Sequence, residues 1–197
     1  MSTSAKHELK RDFLLDKGIP VLWEKGYNGV SVKDIVDAAG VPKGSFYNYF
    51  ESKEDFVLKA LEKYFNEFIV QSLNALEDDS VSCKERLLQH YEYRVNTMLG
   101  SSEFDNGCLA CSMASEMSNQ SEAIRKFIVV KESFMKDKLI ALLEKGKETG
   151  EITSHMDATD IINFIEDAWK GASITRKEYQ DDEPMHNFLK AIKNLII

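Results

Sequence analysis

The stretch VSVKDIVDAAGVPKGSFYNYFESKE, Val30 to Glu54, decides the fold. Ser31 followed three residues later by Asp34 has the form of a capping box, which satisfies two backbone N–H groups at a helix start. Val32, Ile35, Val36 and Ala39 then put apolar side chains on one face of a helix of about two turns. Gly40-Val41-Pro42 ends it, because glycine accepts the left-handed turn conformation and proline forces its predecessor out of the helical region. A second short helix is predicted from Lys43 or Gly44 to Phe50. Its Phe46 and Phe50, four residues apart, face inward, and Ser45, Tyr47, Asn48 and Tyr49 fall on the other faces. Two short helices joined by a glycine-bearing turn have the sequence form of a helix-turn-helix. The spacing alone fits a hairpin that merely packs on its neighbours equally well.

Upstream, a helix is predicted from Thr3 or Ser4 to Lys25, with Leu9, Phe13, Leu14, Val21 and Leu22 near one face and a stop at Gly26. Gly18 and Pro20 in its middle predict a kink or break, since proline removes a backbone bond and clashes with the preceding turn. Downstream, Ser52 is a good N-cap for a helix reaching about Leu76. Further helices follow at about Ser82–Leu99, Gly107–Met117, Ser121–Thr149, Asp157–Thr175 and Glu183–Ile197. No strand alternation or internal repeat interrupts them. The expectation is an all-α chain of about nine helices: a three-helix N-terminal domain, residues 1–51, and a helical C-terminal domain, residues 52–197.

The chain has 197 residues, 43% hydrophobic and 29% charged, a balance that argues against disorder. Three cysteines are too few for a disulfide framework and suit a reducing cytoplasm. The longest stretch without charge, Asn106–Ser115, is ten residues, against roughly 20 for a membrane span. The first residues are polar where a signal peptide is apolar. A net charge of −8 speaks at face value against a nucleic-acid partner, but the charge is divided. Residues 1–50 carry seven Lys or Arg and six acids, whereas residues 51–197 carry 18 basic and 27 acidic residues.

Several elements of the opening stretch resemble the N-terminal domain of the tetracycline-repressor (TetR) family. They are the hydroxyl residue Ser31 at the helix start, the turn Ala39-Gly40-Val41, Gly44-Ser45-Phe46-Tyr47, and the passage Tyr49-Phe50 to Ser52-Lys53-Glu54. Upstream, Trp23-Glu24-Lys25-Gly26-Tyr27 looks like the end of the family's first helix, with Trp where Phe is usual. The resemblance is strong over about residues 10–60 and rests on helix order beyond. It implies a homodimeric transcriptional regulator, usually a repressor, reading a palindromic double-stranded DNA operator and released by a small apolar or reactive molecule. Lys43, Ser45 and Asn48 become candidates for base edges, Lys as a donor to guanine and Asn as a partner of adenine. Gly44 permits close backbone approach, and Tyr47 and Tyr49 offer hydroxyls to phosphates, with the Tyr47 ring also suited to a thymine methyl. Ser31, Lys33 and Lys53 match family positions on the phosphate backbone. The plainer reading makes Tyr47 partly core and Lys33 and Lys53 solvated charges.

In the C-terminal domain, Met185, Phe188, Leu189, Ile192, Leu195 and Ile196 form an apolar stripe on the last helix. Ile161, Ile162, Ile165, Ala168, Trp169 and Ala172 supply its companion. The pair resembles the family's dimerising helices, with Ile161, Ile165, Trp169, Phe188, Leu189, Ile192 and Leu195 as the expected interface; completing an intramolecular core is the alternative. Phe65, Phe68, Tyr91, Met98, Phe104, Met113, Met117, Phe127 and Trp169 supply surface for an apolar ligand pocket, though such residues more often pack. Gly107-Cys108-Leu109, small residues and Glu116 resemble a helix entry in a subgroup that includes repressors sensing reactive electrophiles. A cysteine at a helix N-terminus gains thiolate character, so Cys108 is a sensor candidate, set against a small buried hydrophobe. Cys108 and Cys111 share a metal-like spacing, but Cys83 and the four histidines add no paired spacing, and neither a metal nor a cofactor is expected. No nucleophile, base and orienter grouping or phosphate loop suggests an enzyme; a helical adaptor or enzyme that does not bind DNA is the remaining alternative.

Overall fold

A computed structural model describes residues 3–100 and 107–196, and among these there is no strand. The helices are α1 (Thr3–Gly29), α2 (Val32–Ala38), α3 (Lys43–Phe46), α4 (Lys53–Tyr64), α5 (Val70–Leu73), α6 (Cys83–Gly100), α7 (Leu109–Met117), α8 (Glu122–Glu148), α9 (Ala158–Tyr179) and α10 (Glu183–Leu195). A π-helical turn at Phe65–Ile69 joins α4 to α5, and a 3-10 turn at Asn74–Glu77 follows. No helix among the described residues is long and apolar enough to cross a membrane.

The chain forms two compact units, Met1–Tyr64 with Ser112–Ile128, and Phe65–Cys111 with Val129–Ile197. The first unit therefore extends past the boundary expected after residue 51. The reason is the inner face of α4, whose Phe56, Val57, Ala60 and Leu61 are all fully buried and complete the core begun by Leu14, Leu22, Ile35, Phe46 and Phe50. Phe46, Phe50 and Phe56 pack ring against ring, with centroids 5.1 to 5.9 Å apart. In the second unit α9 packs along α10, and the Trp169 ring meets Phe188 edge-on at 5.5 Å.

Three local expectations change. α1 runs through Pro20, and its non-helical dihedrals come instead at Gly26 (φ 71°, ψ 175°). Pro20 and Asp16, whose carbonyl loses its bond, are both exposed, so water covers the gap. The helix expected to reach Phe50 is α-helical only over Lys43–Phe46, and Tyr47 to Tyr49 form a turn in which Tyr49 and Phe50 N–H both donate to the Phe46 carbonyl at 3.0 Å. α9 extends past Thr175 to Tyr179, closed by Gln180 in the left-handed conformation (φ 53°).

Gly18 sits where α1 crosses the core. A Cβ there would lie 2.6 Å from Phe56 and 2.8 Å from Ile35. Gly18→Ala, which at a solvent-exposed helix position gains about 1 kcal/mol, is expected instead to cost about 1–3 kcal/mol through overpacking, read as a lower midpoint in urea denaturation.

Candidate nucleic-acid interface and regulatory core

The first unit holds α2 and α3 through local chemistry. The Ser31 hydroxyl accepts from the Asp34 amide at 3.2 Å, and the Ser31 amide donates to Asp34 Oδ2 at 2.8 Å, closing the capping box. Lys25 Nζ lies 2.6 Å from Asp34 Oδ1. The hydrogen bond from Lys25, followed by those from Ser31, holds the Asp34 carboxyl far below the usual carboxylate range. Gly40 takes φ 65°, and the Val41 amide turns back to the Val36 carbonyl at 3.0 Å. Pro42 is the N-cap of α3.

This arrangement buries Phe46 and Phe50 and leaves Lys43, Gly44, Tyr47 and Asn48 exposed, with Ser45 and Tyr49 half-buried. Tyr47 is 57% exposed, so it is no part of the core. No atom lies within 4 Å of where a Gly44 Cβ would stand, so its backbone is bare. His7, not singled out by its spacing, donates from Nε2 to the Asn48 carbonyl at 3.0 Å and stacks on Tyr49 at 4.8 Å. Nothing in the local pattern around His7 signals a partner 41 residues away.

The lysines differ from one another. Lys43 is exposed. Lys33 is exposed and paired with Asp37, whose hydrogen bond and charge raise its pKa. Lys53 is half-buried: its Nζ donates to the Tyr27 carbonyl at 2.8 Å and the Val30 carbonyl at 3.0 Å, and lies 4.3 Å from the Tyr27 ring centre. An ammonium has three donors, and two of them are taken by these carbonyls.

In the second unit, a charged pair lies in the core. Arg94 Nη1 is 2.7 Å from Glu166 Oε1, and both side chains are about 5% exposed or less. Burial opposes the charge on each, and their mutual attraction outweighs it, so Arg94 is raised, Glu166 lowered and both stay ionised. The guanidinium lies 4.1 Å over Trp169. His90, wholly buried, donates from Nδ1 to the Ser72 carbonyl at 2.9 Å, which leaves Nε2 an acceptor. Among the described residues, His90 Nε2, the Tyr91 hydroxyl and Arg94 Nε have no hydrogen-bond partner. Nothing in the aromatic and thioether spacing of α6 signals the pairing of Arg94 with Glu166, 72 residues away.

The remaining candidates scatter. Phe65, Tyr91, Met98, Cys108 and Trp169 are buried and Phe68 half-buried within the second unit, whereas Met113, Met117 and Phe127 belong to the first. Phe104 lies outside the described residues. Cys108 is buried and immediately precedes α7; Cys111 is half-buried, and hydrogen bonding to Cys108, then burial, push its thiol far up. Among the described residues no group of three or more His, Cys, Asp or Glu side chains is placed to hold a metal.

The residues expected at the interface fall into two groups. Ile161, Ile165, Trp169, Phe188 and Ile192 are at most 5% exposed within the chain itself, because they close α9 onto α10. Leu189 and Leu195 are half-buried. Phe164, 62% exposed, lines a groove of about 500 Å³ along the two helices with Ala168, Ala172, Pro184, Ala191 and Leu195, and Ile165, Phe188 and Ile192 border the same groove.

Comparison with known proteins agrees with this architecture. Residues 14–60 match the family described as bacterial regulatory proteins, tetR family, and residues 83–192 match the tetracyclin repressor-like C-terminal domain. The HTH-type transcriptional repressor DhaR of Mycobacterium sp. (strain GP1) is 34% identical over 183 residues, 92% of this chain and 89% of that one. The HTH-type transcriptional repressor NemR of Escherichia coli (strain K12) is 27% identical over 196 residues, 100% of this chain and 98% of that one. The crystal structure of reduced E. coli NemR superposes with a TM-score of 0.83 at 27% identity, covering 95% of this chain and 96% of that one. Regulatory protein TetR from Rhodobacter sphaeroides gives 0.84 at 27%, covering 94% and 98%.

The buried imidazole sets a pH dependence. Burial, then the nearby Arg94 charge, push His90 down to about 4 from 6.5, against smaller opposing pulls from the hydrogen bond to the Ser72 carbonyl and from Glu166. Between these values the unfolded chain binds the extra proton, so stability is full above about 6.5 and is lost as pH falls toward 4. Folding free energy from urea titration is expected to drop by about 2 kcal/mol between about pH 7.5 and about pH 5 on this account, a component that disappears in His90→Gln.

Proposed function

Because the chain belongs to the TetR family of bacterial regulatory proteins, and its relatives are DNA-binding transcriptional regulators and not enzymes, we propose that it is a homodimeric repressor. It reads a palindromic operator in the cytoplasm through α3 and lets go when a small molecule binds the second unit. The observation that carries this reading is the face of α3: Lys43, Tyr47 and Asn48 stand in solvent because Phe46 and Phe50 take the inward positions. One turn of helix reaches few bases, so a second copy is needed to add a second half-site about one helical turn of DNA away. The exposed apolar groove along α9 and α10 is the surface this reading assigns to the partner copy, with Phe164 among its lining residues.

In this reading Lys43, Ser45 and Asn48 contact base edges, with Gly44 allowing close approach, and Ser31, Lys33, Tyr47, Tyr49 and Lys53 contact phosphate. Titration of the DNA flanking its own coding region, at several salt concentrations, tests the assignment. Lys43→Ala is expected to weaken the best site by about 1–3 kcal/mol and to flatten the preference between sequences. Lys33→Ala is expected to weaken all sequences alike and to lower the salt slope by about one. Wild-type affinity in both variants would overturn the assignment, and absence of any sequence-dependent binding would favour a helical adaptor.

The effector is proposed to be a small apolar or reactive molecule. Cys108 is the thiol assigned to a reactive one, its sulfur adding to the β carbon of an activated alkene as the C=C π bond breaks and the thiol proton passes to the α carbon. NemR has been crystallised in a form named reduced, which concerns that protein; here the support is the place of Cys108 at a helix start beside Cys111. Mass spectrometry after mild electrophile or peroxide treatment is expected to find Cys108 modified in step with operator release. Release that persists in Cys108→Ser would refute the thiol role.

A further inference from the structure

The turn between α1 and α2 is held by groups distant in sequence. After Gly26 breaks the helix, the Tyr27 amide donates to Glu116 Oε2 at 2.8 Å and the Asn28 amide to Glu116 Oε1 at 2.6 Å. One carboxylate thus takes two successive backbone N–H groups, each bond strengthened by its charge. The fit is close: a Cβ on Gly26 would stand 2.7 Å from Glu116 Oε2. The carbonyls of the same turn point the other way, where Lys53 Nζ takes those of Tyr27 and Val30. The Val30 amide closes on the Gly26 carbonyl at 3.1 Å, and the next residue, Ser31, caps α2. All of these residues lie in the first compact unit.

We propose that Glu116 is a positioning residue for DNA binding, fixing through the Tyr27 and Asn28 amides the turn that sets Lys53 and the start of α2. This rests on the DNA-binding reading above. The groups it sets are the ones assigned to phosphate: Lys53, held in place by the two carbonyls of the turn, Ser31 at the N-cap of α2 and Lys33 in its first turn. Glu116 does not itself meet DNA, since an anion repels phosphate. It is the penultimate residue of α7.

The sign of the effect separates this role from simple electrostatics. Removing a negative charge near a polyanion strengthens binding if charge alone matters; loss of the latch weakens it. Full-length Glu116→Gln keeps the side-chain shape but puts an amide N–H against one of the two backbone N–H groups. It is expected to lower operator affinity by about tenfold or more, with the slope of affinity against salt unchanged because no phosphate contact is removed. Hydrogen exchange at the Tyr27 and Asn28 amides, measured without DNA, is expected to speed up in the same variant. Gly26→Ala, which displaces the carboxylate without altering charge, is expected to act in the same direction. Unchanged or tighter operator binding by Glu116→Gln, or unaltered exchange at the two amides, would overturn the proposal while leaving wild-type DNA binding standing. Failure of the wild-type protein to bind DNA would overturn the DNA-binding reading and this inference with it.

Discussion

The seat of Phe46 between Phe50 and Phe56 is the interaction on which the reading head depends. α3 has four helical residues, and its N-cap, Pro42, supplies no side-chain hydrogen bond. A helix that short does not repay the entropy of its own nucleation, so its geometry comes from packing. Phe46 is fully buried, worth about 1.5–3 kcal/mol in transfer alone, and its ring contacts with Phe50 and Phe56 add directional preference. Gly18 makes the space by letting α1 come close to Phe56 and Ile35. With the inward positions taken by aromatic rings, the polar groups of the same turn face solvent.

The charge of the head is patterned more than it is large. Two of its lysines are neutralised locally, Lys25 by Asp34 and Lys33 by Asp37, and Lys53 is committed to two carbonyls. A field this weak gives modest nonspecific affinity, so discrimination falls to a few well-placed contacts and to pairing of two heads. The same pairs build structure: the Lys25–Asp34 contact strengthens the capping box that starts α2.

The second unit follows a different logic. A buried ion pair such as Arg94–Glu166 costs several kcal/mol of desolvation per ion and repays it only with good geometry. The 2.7 Å contact and the Trp169 face beneath the guanidinium provide that geometry, while the unpartnered atoms of His90, Tyr91 and Arg94 add cost. Such a centre fixes which helix faces meet, since only one register of α6 against α9 lets the two charges touch. The surrounding apolar stripe of α9 and α10 closes over it, and Ile165, Phe188 and Ile192, covered within the chain, also border the groove along the two helices.

The sequence by itself determined the elements whose causes are local. Ser31 and Asp34 three residues apart make a capping box, Gly40 and Pro42 stop a helix, and the Phe46–Phe50 spacing puts both rings on one side; each depends on backbone chemistry within a few residues and appears as predicted. The tertiary structure alone decided what depends on partners far along the chain. The continuation of α1 through Pro20 rests on which side of the helix faces water. The shortness of α3 rests on where Phe46 must sit. The roles of His7, Lys53, Glu116 and the Arg94–Glu166 pair join residues 26 to 89 positions apart, and periodicity carries no information at that distance. Burial behaves likewise: an apolar stripe states that a face will be covered, and only the packed chain decides whether its own helices or another molecule cover it.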